Sequence, residues 1–140
     1  MSTMKTIKHV KSSWVSKSKI DEMPWGHEVV WSALPSVRGK ILYMKEGSRN
    51  SLKINVLKDE CLFVLTGTVE AEYGTELSLE DPVQHPFESR VLSPGDTLNV
   101  QSGCPYRLTA ITDVKIVEIG NSSNSNRQEV VRIEDDYGRE

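Results

Sequence analysis

Short apolar stretches bounded by Gly, Pro, Asn and Asp recur roughly every ten residues along this chain of 140, and helical periodicity is hard to find. That rhythm constrains the fold more than any other feature, because side chains alternate faces along a strand and each strand must pair to satisfy its backbone polar groups. Predicted strands cover 27–32, 39–45, 51–57, 61–66, 69–73, 87–92, 97–100, 106–110 and 114–120. Turn chemistry separates them at Lys45-Glu46-Gly47, Lys58-Asp59-Glu60, Thr66-Gly67-Thr68, Ser93-Pro94-Gly95-Asp96 and Ser102-Gly103. The expectation is an all-β jelly roll of two sheets. Residues 74–86 read as a variable loop, and 121–126 as a polar loop without packing duty.

Two glycine-framed spacings lie inside this pattern. The first runs Gly47, five residues, Lys53, one residue, Asn55, four residues, Glu60, six residues, Gly67. The second runs Gly95, five residues, Gln101, one residue, Gly103, two residues, Tyr106. Both are the spacings of the two cupin motifs. Together with Pro24-Trp25-Gly26 through Trp31, Gly39-Lys40-Ile41-Leu42 and the ending 130–139, they make the chain resemble small single-domain cupins related to the C-terminal domain of type II mannose-6-phosphate isomerases. The resemblance implies a double-stranded β-helix barrel and a phosphosugar isomerase or epimerase activity.

In that family two His-type positions, a Glu and a further His converge on one divalent metal. The matching residues here are Lys53, Asn55, Glu60 and Tyr106, with Gln101 where the pattern has proline. An ammonium offers three donors and no acceptor, so Lys53 opposes metal binding, and one carboxylate with one amide oxygen does not make a tight transition-metal site. The expectation is therefore no metal and no cofactor. Lys53, Asn55, Glu60 and Tyr106 become cavity and ligand-binding candidates, and catalytic residues remain unassigned. One arrangement puts the Lys53 ammonium where the metal would stand, with Glu60 as counter-ion and Tyr106 and Asn55 completing the hydrogen bonds. In the other, Lys53 reaches the cavity mouth and Glu60 pairs at the surface. Leu57, Leu62, Val64 and Leu108 are expected to form an apolar inner face.

Other residues carry less. His9 and His27 are isolated, and His85 sits between residues of the variable loop facing solvent. Trp14, Trp25 and Trp31 suit either a sugar-stacking platform or core and dimer contacts. Glu134, Asp135 and Asp136, set between Arg132 and Arg139, read as a salt-bridged or solvated segment. Cys61 and Cys104 each lie in or beside a motif, close enough for a disulfide to be conceivable, although cytoplasmic thiols are the default.

Size suits a flexible basic leader over 1–20 and one domain over 21–140. A net charge of -3 provides no global positive field for nucleic acid or anionic membrane. No apolar run approaches the ~20 residues of a membrane span, and the start lacks an apolar signal core, so a cytoplasmic protein is expected. Three functions stay open. They are a binder of a small polar or sugar-like ligand, an isomerase that uses Lys53 or Glu60 as acid and base, and a structural or regulatory homodimer with a filled cavity.

Overall fold

A computed structural model describes residues 10–121 and 130–139. Eleven strands form among them: β1 Lys19–Met23, β2 Gly26–Val30, β3 Val37–Met44, β4 Leu52–Asn55, β5 Glu60–Thr66, β6 Val69–Tyr73, β7 Glu88–Leu92, β8 Thr97–Val100, β9 Tyr106–Ala110, β10 Val114–Asn121 and β11 Val130–Glu134. They build two antiparallel sheets, ordered β1-β2-β3-β10-β5-β8 and β11-β4-β9-β6-β7. No helix among the described residues is long and apolar enough to cross a membrane.

Period-two alternation explains the two faces. In β5, Glu60, Leu62 and Val64 are buried while Cys61, Phe63 and Leu65 are exposed, and in β10 Val114, Ile116 and Glu118 point inward. Tyr106, Leu108 and Ala110 supply the inward face of β9. These residues meet Leu42, Met44, Val69, Ala71 and Leu98 in one core between the sheets. At about 25 cal/mol per Å² of apolar surface, such burial is the dominant stabilising term.

The motif glycines act as expected of turns. Gly47, Gly67, Gly95 and Gly103 all have positive φ. At Gly67, with φ of 85°, a Cβ would also stand 2.1 Å from the Asp113 carbonyl oxygen, so no other residue fits.

Sequence and structure differ in places. β1 and β11 are strands that the sequence pattern does not show: β1 is a charged edge strand with almost no inward apolar face, and β11 lies in the stretch that reads as a charged tail. β1 starts at Lys19, inside the stretch read as leader, and residues 10–18 carry no regular structure. The 51–57 strand ends at Asn55, which leaves Leu57 outside the core. His9 and most of the 121–126 loop lie outside the described residues.

The C-terminal strand is held by its ladder to β4, which is in turn tied to β9. β4 and β9 share a single ladder pair, Lys53 with Tyr106, and buried Asn50 reinforces it by accepting the Leu108 amide at 2.8 Å. Buried Arg107 then donates to the Asn50 carbonyl at 3.0 Å and the Glu134 carbonyl at 3.1 Å, tying β9 to β11. Beyond β11, Asp136 pairs with Arg49 and Asp135 with Arg139. Asp135 and Asp136 are thus ion-paired, and Glu134 contributes its backbone carbonyl to Arg107.

Candidate functional site

The inward faces change from apolar to charged at one level of the barrel. Along β10 the order is Val114, Ile116, Glu118, and along β3 it is Met44, Leu42, Lys40, Arg38. Along β5 it is Val64, Leu62, Glu60, and along β9 Ala110, Leu108, Tyr106. Register places Ile116 beside Leu42 and Val64, Glu118 beside Lys40 and Leu62, and Gly120 beside Arg38 and Glu60. One end of the barrel is therefore dry, and the other gathers polar groups around a cavity of about 160 Å³. All four candidates from the motifs, Lys53, Asn55, Glu60 and Tyr106, line it.

Glu60 is their meeting point. It is 6% exposed, and one carboxylate oxygen, Oε1, accepts from Asn55 Nδ2 and from the Tyr106 hydroxyl, each at 3.3 Å. Both bonds are long, yet both cross from one sheet to the other. The expected contact between Lys53 and Glu60 does not form. Lys53 lies on β4 and Glu60 on β5, in opposite sheets, with Tyr106 between them. The Lys53 ammonium instead sits 4.5 Å from the Tyr106 ring centroid, a cation–π contact, and donates to the Ser51 carbonyl at 3.3 Å. The surface reading of Glu60 also fails, since Glu60 is buried.

Charged residues of this end that the sequence did not place here include Glu28, Lys40 and Glu118. Glu118 is buried, and Lys40 holds Glu28 at 3.0 Å in a half-buried ion pair. Burial, then repulsion from Glu60 and Glu28, raises the Glu118 pKa to about 7 against the pull of Lys40 and Lys53. Burial lowers Lys53 to about 8, opposed by Glu118 and Glu60. Burial also holds the Tyr106 phenol well above its ordinary value, so it stays a neutral donor. These residues come from strands outside both motifs, and only their inward-facing parity could have revealed them.

The divalent metal implied by the motif resemblance does not suit this donor set. An ammonium, a protonated phenol and an amide turned toward Glu60 surround a single motif carboxylate, and no group of three or more His, Cys, Asp or Glu among the described residues could hold a metal ion.

The remaining candidates lie elsewhere. Trp25 is buried in the core and borders the cavity, whereas Trp14 and Trp31 flank a separate surface cleft with Leu34. His27 stacks on Tyr43 at 4.5 Å, and His85, partly buried rather than open to solvent, lies 3.3 Å from the Thr75 hydroxyl. Cys61 and Cys104 are both free: Cys61 is exposed on the outer face of β5, and Cys104 packs against the core.

No protein-family profile matches the chain, and no curated protein matches it in sequence. Solved structures do. KdgF from Halomonas sp. superposes with a TM-score of 0.62 at 16% identity, over 78% of this chain and 90% of that one. An RmlC-like cupin from Shewanella frigidimarina gives 0.63 at 13% identity, over 82% and 96%. The chain has the cupin fold. The capsular polysaccharide assembling protein CapF from Staphylococcus aureus gives 0.66 at 13% identity, but this chain spans only 33% of it. Such low identities establish a shared cupin barrel and nothing of its chemistry.

Two measurements follow from the geometry. Tyr106→Phe removes one of two bonds to a buried carboxylate and is expected to cost about 1–3 kcal/mol in urea unfolding at pH 7, whereas a loss under about 0.5 kcal/mol would show that the hydroxyl holds nothing. Glu118 keeps its proton to higher pH when folded than its ordinary value of 4.5 allows when unfolded. Its contribution is full below that value and declines as pH rises toward about 7. Glu118→Gln should flatten this decline and exceed the parent at pH 7.5 by up to about 3 kcal/mol. An unchanged slope would show that Glu118 ionises normally.

Proposed function

We propose that this protein is a metal-free cupin that binds a small, polar, sugar-like molecule in the cavity at the charged end of its barrel. The observation that carries this reading is a half-open cavity whose polar groups are incompletely satisfied. Asn55 Oδ1 and Arg132 Nε are shut off from solvent without a hydrogen-bond partner among the described residues, and Lys53 donates to the Ser51 carbonyl. Orphaned buried polar atoms cost about 1–3 kcal/mol each, which a ligand bearing hydroxyl groups would recover. A cavity of about 160 Å³ compares with about 30 Å³ per liquid water, so it takes a molecule on the scale of one sugar ring. Lys53, Asn55, Glu60 and Tyr106 are the proposed ligand-binding residues, and the cavity argues against a filled, purely structural barrel.

A second reading keeps the isomerase or epimerase implied by the mannose-6-phosphate isomerase resemblance. Lys53 near 8 and Glu118 near 7 favour it, because acid–base groups work best close to the ambient pH. Solvent-deuterium exchange at C2 of mannose 6-phosphate tests it, and no exchange above the uncatalysed rate ends it.

In this proposal the protein is a cytoplasmic homodimer, with no nucleic-acid or membrane partner. A row of outward residues on the larger sheet, Val29, Ile41, Val117 and Phe63, supports the pairing. A monomeric mass by light scattering would remove it.

Ligand binding itself is tested by thermal-shift titration with neutral and acidic monosaccharides, with and without EDTA. At a hundredfold excess over Kd the folded state gains about 2.7 kcal/mol, a rise of several degrees in Tm. The expected result is a saturable rise unaffected by EDTA. A rise that EDTA abolishes would mean a metal site, and no rise with any sugar would count against the binder.

A further inference from the structure

We infer that the cavity's ligand is a small polyhydroxy monocarboxylate whose carboxylate seats against the Arg132 guanidinium beside the Lys53 ammonium, while its hydroxyl groups reach Asn55. This rests on the reading of the cavity as a binding site and adds the charge and orientation of what occupies it.

Arg132 carries the inference. It lies on β11 in the cavity wall, and its Nε is buried without a hydrogen-bond partner among the described residues. A guanidinium presents Nε and a terminal nitrogen as a planar fork that matches the two oxygens of a carboxylate. Arg132 is also the ladder partner of Lys53 across the β4–β11 pair, so two cations stand side by side in a poorly solvated space. Their repulsion is felt at Lys53, whose pKa is lowered first by burial and also by Arg132, against the pull of Glu118 and Glu60. An anion shared between them would relieve that repulsion and use donors that the protein leaves idle.

A monoanion suits the carboxylates that share the cavity. Glu60 and Glu118 line it together with Arg132 and Lys53, and a phosphate dianion would meet about twice the repulsion from them that a single carboxylate does.

The remainder of the ligand follows from Asn55 and the two glutamates. Asn55 Oδ1 is an acceptor without a donor, and Glu60 and Glu118 also accept. Asn55 lies two residues along β4 from Lys53, roughly 7 Å at strand rise. Carboxylate at one end and hydroxyl donors about that far away describe a sugar acid.

Isothermal titration calorimetry on the full chain at pH 7 and low salt tests this with D-glucuronate, D-gluconate, D-glucose and D-glucose 6-phosphate. At least one acid should bind roughly tenfold or more tighter than glucose, since charge-assisted bonds carry the difference. Arg132→Gln should abolish that preference, Arg132→Lys should keep part of it, and added NaCl should erode it in the unaltered protein, a readout independent of how the variants fold. Equal affinity for glucose and the acids would overturn the inference while leaving the polar-ligand reading intact. Tighter binding of glucose 6-phosphate would overturn the monoanion assignment, and silence from all four probes would overturn both readings.

Discussion

The Glu60 carboxylate is the interaction on which the charged end of the barrel depends. It enters from the larger sheet and accepts hydrogen bonds from Asn55 and Tyr106 of the smaller one. In a jelly roll the sheets are otherwise joined by apolar packing, which ends here at the level of Leu62 and Leu108. A buried carboxylate is costly in a low dielectric unless donors surround it. Tyr106 answers that cost twice, giving Glu60 its hydroxyl and Lys53 its ring face. Gly120, opposite Glu60 in the ladder, leaves room for the Asp59 backbone carbonyl, which would stand 2.7 Å from a Cβ.

From that arrangement comes a site that is polar, half-open and short of partners. Burial disfavours the charged forms of Lys53 and Glu118, and Glu60 repels Glu118 further, so the two pKa values move toward neutrality from opposite sides. The strain is borne by a fold whose other end is a dry core, with Val64, Val69, Ala71, Leu108 and Ile116 almost wholly buried. Binding a complementary ligand would lower the cost locally without disturbing that core.

The barrel was legible in the sequence because its signals are local. Gly67 must take a left-handed turn against the Asp113 backbone, and β5 is an apolar run, Cys61 to Leu65, bounded on both sides by turn residues. The motif spacing also located Lys53, Asn55, Glu60 and Tyr106 at one cavity. What the sequence could not supply was the partner of each group. Lys53 and Glu60 are seven positions apart and looked like a pair, yet the chain crosses from one sheet to the other between them. Glu118, Lys40 and Arg132 arrive from strands remote in sequence, and their convergence depends on a register that only pairing reveals. β11 shows the same limit, since its Val-Val-Arg-Ile run looked like a tail until Arg107 and β4 held it in the sheet.

The central claim is that side chains, not a missing ion, account for the charged end of this cupin barrel. Calorimetric titration with Mn²⁺ of the natural chain and of a Lys53→His, Asn55→His, Tyr106→His triple variant tests it most directly. The account requires no Mn²⁺ binding by the natural chain and measurable binding once three imidazoles join Glu60 on the same scaffold. Stoichiometric Mn²⁺ binding by the natural chain would contradict it.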